Sequence, residues 1–189
     1  MRNILETIEE PLTISLERIN FMFQNEKITC VCIKNHEGFR LIGEFFGPFE
    51  IGKKYKLMLF SAIPFVINDI LEIISSEKCD NIDVQRYAIK ERDDQKLIQP
   101  EDIFFLNKIK EFRQLMEIDI EKKKKPQINL DRYSSFSSSI VDLRMLKLLK
   151  LAKTELSLND ERLLTFPEKK LFALLNSFIK QWRNFFITS

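Results

Sequence analysis

The sequence predicts a mainly α fold with a small β-domain: a short-stranded N-terminal β-module followed by a C-terminal helical bundle. Three observations point there. All four glycines fall between Gly38 and Gly52, so only one short region asks for backbone geometry that a Cβ would block. Around those glycines apolar residues recur at every second position, the period of a strand. Beyond Leu59 glycine stops, and apolar residues recur three and four apart, the period of a helix. Residues 1–58 read as a β-rich domain with an N-terminal lead-in, and residues 59–189 as an α-helical domain.

Residues 1–20 form an acidic lead-in in which Pro11 is expected to break any early helix. From Phe21 the period is two. Ile28, Cys30 and Cys32 alternate with Thr29, Val31 and Ile33, a strand apolar on both faces. Asn35 to Gly38 is a turn, Phe39 to Phe46 a return strand, Gly47-Pro48 and Gly52 further turns, and Tyr55 to Leu59 a last strand. Phe60 to Ser76 reads as a helix with Pro64 near its first turn. Lys78 to Asp94 reads as a polar connector with at most one short element. Pro100, Glu101 and Asp102 start a helix whose face is Phe105, Ile109, Phe112 and Met116; Lys122 to Lys125 close it and Pro126 stops it. The serine-rich stretch within residues 126–139 reads as a break, with Ser137 or Ser138 capping a helix from Ile140 to Leu156. A final helix runs from Pro167-Glu168 to Phe186, apolar around more than half its circumference, which asks for two neighbours.

The totals exclude several functions. Thirty Lys and Arg nearly balance 28 Asp and Glu, so net charge does not call for an acidic partner. A single histidine, His36, supports neither a zinc site nor a Ser-His triad. The glycines match no phosphate-binding pattern, and the serines of 134–139 lack a base partner. No enzyme activity and no cofactor are expected. The three cysteines lack a disulfide-framework spacing and suit a reducing, intracellular setting. The start of the chain is acidic without the apolar run of a signal peptide, and Leu57 to Ile74 is interrupted by polar residues. A soluble protein with no membrane partner is expected. Two surfaces remain. Phe172, Leu175, Phe178, Ile179, Trp182 and Phe186 on the last helix are the expected subunit interface. Lys122, Lys123, Lys124 and Lys125 are the possible nucleic-acid contact of an alternative reading, a helical module that binds nucleic acid.

One stretch carries a family mark. Leu41-Ile42-Gly43, then Phe46-Gly47-Pro48-Phe49, Gly52, and Leu57 to Ala62 resemble the small β-domain and first helix of GINS subunits that place the β-domain first. Gly43, Gly47, Pro48, Phe49 and Gly52 are the signature turns. Asp142-Leu143-Arg144 with Lys147 resembles an Asp-x-x-Arg/Lys helix of the same family, and Leu164-Thr165 through Glu168 with Leu171-Phe172 and Trp182 resembles the closing helix of its archaeal members. The usual tryptophan at the helix start is replaced by Phe60. The resemblance implies a non-catalytic subunit of a heterotetramer with two copies each of two subunit types. It implies partners too: the MCM helicase, a RecJ/Cdc45-like protein and a primase, met in the cytoplasm at the replication fork.

Overall fold

In a computed structural model, which describes residues 11–41 and 43–187, the chain is mostly helical with a small sheet region near its N-terminus. Pro11 does not break the first helix. It stands at the N-cap of α1 (Leu12–Gln24), where a missing N–H costs no hydrogen bond. This corrects the expected lead-in and the strand period from Phe21. Ser15, Ile19, Asn20 and Phe23 form the buried face of α1, and Asn20 donates to Glu111 of a later helix at 2.7 Å.

The sheet follows. β1 (Lys27–Cys32) is central, with β4 (Lys54–Met58) antiparallel on one side and β5 (Leu71–Ile73) antiparallel on the other. Ile28, Cys30 and Cys32 point into the core. The expected return strand is itself a hairpin, β2 (Phe39–Leu41) with β3 (Glu44–Phe46). Gly38 and Gly47 stack at its base with φ of +97° and +117°. A Cβ on Gly38 would lie 2.2 Å from the carbonyl oxygen of Phe46, so both conformation and space require glycine there. The Gly47-Pro48 peptide is cis, and Phe49 is buried against Phe65 and Tyr55.

The first helix of the second half is shorter than expected. α2 (Leu59–Ile67) carries Pro64 in its interior and ends at Asn68. Asp69, at φ 56°, turns the chain so that Leu71 and Ile73 alternate into the sheet. Pro64 removes one helical hydrogen bond, and strand pairing takes the β-branched run that follows. The 58/59 boundary does not separate two cores. β5 closes the sheet from beyond it, and one hydrophobic cluster runs from Ile19 through Cys30, Phe65 and Leu71 to Phe112, Tyr133 and Ile140.

The polar segment after Lys78 is a full helix, α3 (Asn81–Asp93). Asp80 caps it by accepting from Ile82 and Asp83, whose side chain accepts from Asp80 in return. α4 (Phe105–Glu121) buries Phe105, Ile109, Phe112 and Met116 on one face, as their spacing predicts. The serine stretch does not interrupt α5 (Gln127–Leu151); Ser137 donates back to the carbonyl of Tyr133, four residues earlier, at 2.7 Å. Its buried stripe is Tyr133, Ser137, Ile140, Arg144 and Leu148. After a short α6 (Leu158–Glu161) comes α7 (Phe166–Ile187). A second cluster of Leu97, Leu148, Ala152, Leu164 and Phe172 joins α5 to α7.

Candidate interaction surface

α7 is held at its start and left bare at its end. Thr165 precedes it, and Glu168 accepts from the Thr165 backbone N–H and hydroxyl, both at 2.8 Å. The same carboxylate is gripped by Arg144 of α5, with Nε at 2.6 Å from one oxygen and Nη2 at 2.9 Å from the other. Arg144 is 1% exposed. It also donates to Glu91 and Tyr87 of α3 at 2.7 and 2.8 Å, and to the carbonyls of Ile98 and Leu163 at 3.0 and 2.8 Å. Lys147, one turn along, reaches Glu91 at 2.5 Å and the carbonyl of Lys96 at 2.8 Å. Two cations and two carboxylates are thus enclosed together. Burial alone would lower the pKa of Arg144, but the hydrogen bond and charge of Glu168 hold it above its ordinary value. The guanidinium is a permanent cation at the joint of α3, α5 and α7.

Further along α7, Asn176 donates to the carbonyls of Ala152 and Thr154 at 2.9 and 3.1 Å. A cleft of about 350 Å³ opens beside it, lined by Lys153, Ile179 and Arg183 among others. From Lys180 to Ile187 every residue is exposed. Phe178 is 60% exposed, Trp182 68%, Phe185 80% and Phe186 63%. Trp182 and Phe186 meet at a tilt of 54° with centroids 4.7 Å apart, and Phe185 meets Phe186 edge-on at 4.9 Å. Of the six expected interface residues, Phe178, Trp182 and Phe186 form this bare tip. Leu175 and Ile179 are half-buried against the second cluster. Phe172 is buried in that cluster, a correction: it lies on the side of α7 that packs on α5.

A second apolar stripe lies on α5. Val141, Met145 and Leu149 are spaced by four on one helical face and exposed, with Leu146 beside them. The buried stripe through Ile140, Arg144 and Leu148 sets this side outward.

The lysine run has internal work. Lys122 donates to the carbonyl of Ile67, Lys124 pairs with Asp69, and Lys125 pairs with Asp119 at 2.8 Å. Lys123 takes the left-handed conformation that ends α4. The run ties the α4 terminus to the turn between α2 and β5. Arg144 and Lys147 are likewise turned inward onto Glu91 and Glu168 and add nothing to a basic surface.

The three cysteines are buried and free of disulfides. Burial raises the thiols of Cys30 and Cys79 from 9.0 to about 11. Among the described residues no helix is long and apolar enough to cross a membrane, and no group of three His, Cys, Asp or Glu side chains converges as a metal site. No protein-family model matches the chain, and no curated protein matches it.

Proposed function

We propose that the chain is an assembly subunit that docks a partner on the tip of α7, as a non-catalytic GINS-like subunit of a DNA replication scaffold. The observation that carries this is the bare aromatic tip. Four large rings of about 200 Å² each, roughly two-thirds exposed, leave about 500 Å² of aromatic surface in water, the upper range of what a monomer leaves uncovered. At about 25 cal/mol/Å² its burial supplies about 13 kcal/mol before the cost of association is subtracted. The α5 stripe offers a second face, as a subunit with more than one neighbour needs.

The specific family rests on sequence resemblance. It gains support from where the later motifs fall: Arg144 and Glu168, which lie in two separate stretches similar to GINS, form one buried bidentate pair. In this reading the chain pairs with the GINS subunit type of opposite domain order, two copies of each. The assembly bridges the MCM helicase and a RecJ/Cdc45-like protein, with primase as a further contact, at the replication fork. The nucleic-acid alternative loses ground because three of its four lysines already hold partners.

Co-expression with a GINS subunit of the opposite order, followed by mass measurement under native conditions, tests the proposal. The expected product is a discrete heteromer in which the emission of Trp182 shifts to the blue. A chain that stays monomeric at high concentration and forms no heteromer would overturn it.

A further inference from the structure

The sheet has two edges, β5 and β4. On β5, Leu71 and Ile73 turn their side chains into the core, 1% and 3% exposed. β4 is open, and the hydrogen-bond register shows which of its groups are free. Cys32 donates to Lys53 and Leu59 donates to Glu26 across the β1–β4 ladder. In an antiparallel pair, bonded and non-bonded residue pairs alternate. With Cys30 opposite Tyr55 and Ile28 opposite Leu57, Tyr55 and Leu57 bond inward to β1. Lys54, Lys56 and Met58 therefore turn their N–H groups outward, along with the carbonyls of Lys54 and Lys56. Among the described residues none of these groups has a hydrogen-bond partner, and Lys54, Lys56 and Met58 are exposed.

On β4 and at Lys27 the charged side chains share one sign, while Glu72, on the same face of β5, is taken by Lys78. Lys54, Lys56 and Met58 lie on the outer face of the sheet, and Lys27, opposite Met58, lies there too. No carboxylate pairs with Lys27, Lys54 or Lys56 among the described residues. Lysines on an edge strand discourage unwanted pairing. They do so selectively. A second copy of β4 would set lysine against lysine, which is unfavourable across a strand pair. A strand with carboxylates at alternate positions would meet them favourably, while its other side chains lay beside half-buried Tyr55 and Leu57.

We propose that β4 is a docking edge for an extended acidic segment of a partner protein, which adds a fourth strand to the sheet. Main-chain bonds to Lys54, Lys56 and Met58 hold the segment, and Lys27, Lys54 and Lys56 select its charge. This site is separate from the α7 tip and does not depend on the GINS reading.

The test uses the full chain and a labelled peptide alternating glutamate and valine, with an alternating lysine–valine peptide as control. Binding of the acidic peptide is expected to weaken with salt, and to weaken roughly tenfold in K54E/K56E. Amide exchange at Lys54, Lys56 and Met58 should slow in the bound state, while Tyr55 and Leu57, already bonded inward, change little. Lys56→Pro removes one outward donor without touching the ladder to β1 and should weaken binding; a thermal melt checks that it folds, and the exchange pattern of the unaltered chain stands if it does not. Any of these results would overturn the proposal: no binding of the acidic peptide; equal binding of the lysine peptide; binding with no slowing at the three amides; or slowing that follows protein concentration without peptide, which is self-pairing. Displacement of the acidic peptide by single-stranded DNA, with the three amides still exchanging freely, would assign the lysines to nucleic acid and also overturn it.

Discussion

Replacing Arg144 with alanine should be among the most destabilising single changes in the protein. The side chain is 1% exposed, and its guanidinium donates to Glu168 twice and to Glu91, Tyr87 and the carbonyls of Ile98 and Leu163. Removing one partner of a buried ion pair costs about 3–5 kcal/mol, because the charge left behind has lost its compensation. Here Glu168 would keep only Thr165, and two carbonyls would lose a donor. Glu91 would keep Lys147, which places the expected loss near the middle of that range, about 4 kcal/mol. An exposed pair such as Lys169 with Glu161 is worth no more than about 1 kcal/mol. Urea unfolding followed by far-UV dichroism measures the difference as a shift in midpoint at unchanged slope. The partner change Glu168→Gln, added to Arg144→Ala, should cost little more or recover part of the loss, since it removes the orphaned charge. Arg144→Lys should fail to rescue, because an ammonium cannot make the forked contact. A loss below about 1 kcal/mol for Arg144→Ala, or full additivity with Glu168→Gln, would refute the account of this cluster as a joint of three helices.

Other outcomes follow from single features. Gly38→Ala should cost about 2 kcal/mol or more in a thermal melt, because its Cβ would meet the Phe46 carbonyl at 2.2 Å; Gly43→Ala, with open space around it, should cost only about 1 kcal/mol from its positive φ. Trp182→Glu should leave the melting midpoint of the isolated chain unchanged and abolish heteromer formation in native mass measurement. A thiol reagent at pH 8 should titrate none of the three buried cysteines until denaturant is added. The unfolded chain releases the Cys30 and Cys79 protons near pH 9.0, while the folded chain holds them to about 11. Their contribution is therefore fully present below pH 9 and lost as pH rises across that window, which denaturant midpoints measured from pH 8 to 11 will record.

Much of the fold was legible where apolar residues alone mark the buried face. The Phe105, Ile109, Phe112 and Met116 stripe marked α4, and the aromatic density of 171–186 marked α7. Elements whose buried face includes polar residues were hidden. α3 buries Glu91 beside Val84, Tyr87 and Ala88, and α5 buries Ser137 and Arg144. Their stripes read as broken because the compensating partners come from distant parts of the chain. The Asp80 and Asp83 pair was a readable capping signal for α3. For α1, a proline reads as a breaker or as a start depending only on its place, and Pro11 stands at the N-cap. The tip of α7 was legible, yet Phe172 was not separable from it. Periodicity shows that a helix has two apolar sides, and only the packing on α5 shows which side is the core.

Clamped by Arg144 at its start, α7 is held midway by Asn176 and further along by Lys180, which pairs with Glu155 at 2.6 Å, and it extends about 10 Å beyond Lys180 to Ile187. It behaves as a cantilever. The residues that would grip a partner are mechanically joined to the core but thermodynamically separate from it, since few of their atoms are buried in the isolated chain. Substitutions at the tip can therefore follow changes in a partner without drawing on the stability of the fold, and a partner seated there is held at a set distance and angle by a rigid arm.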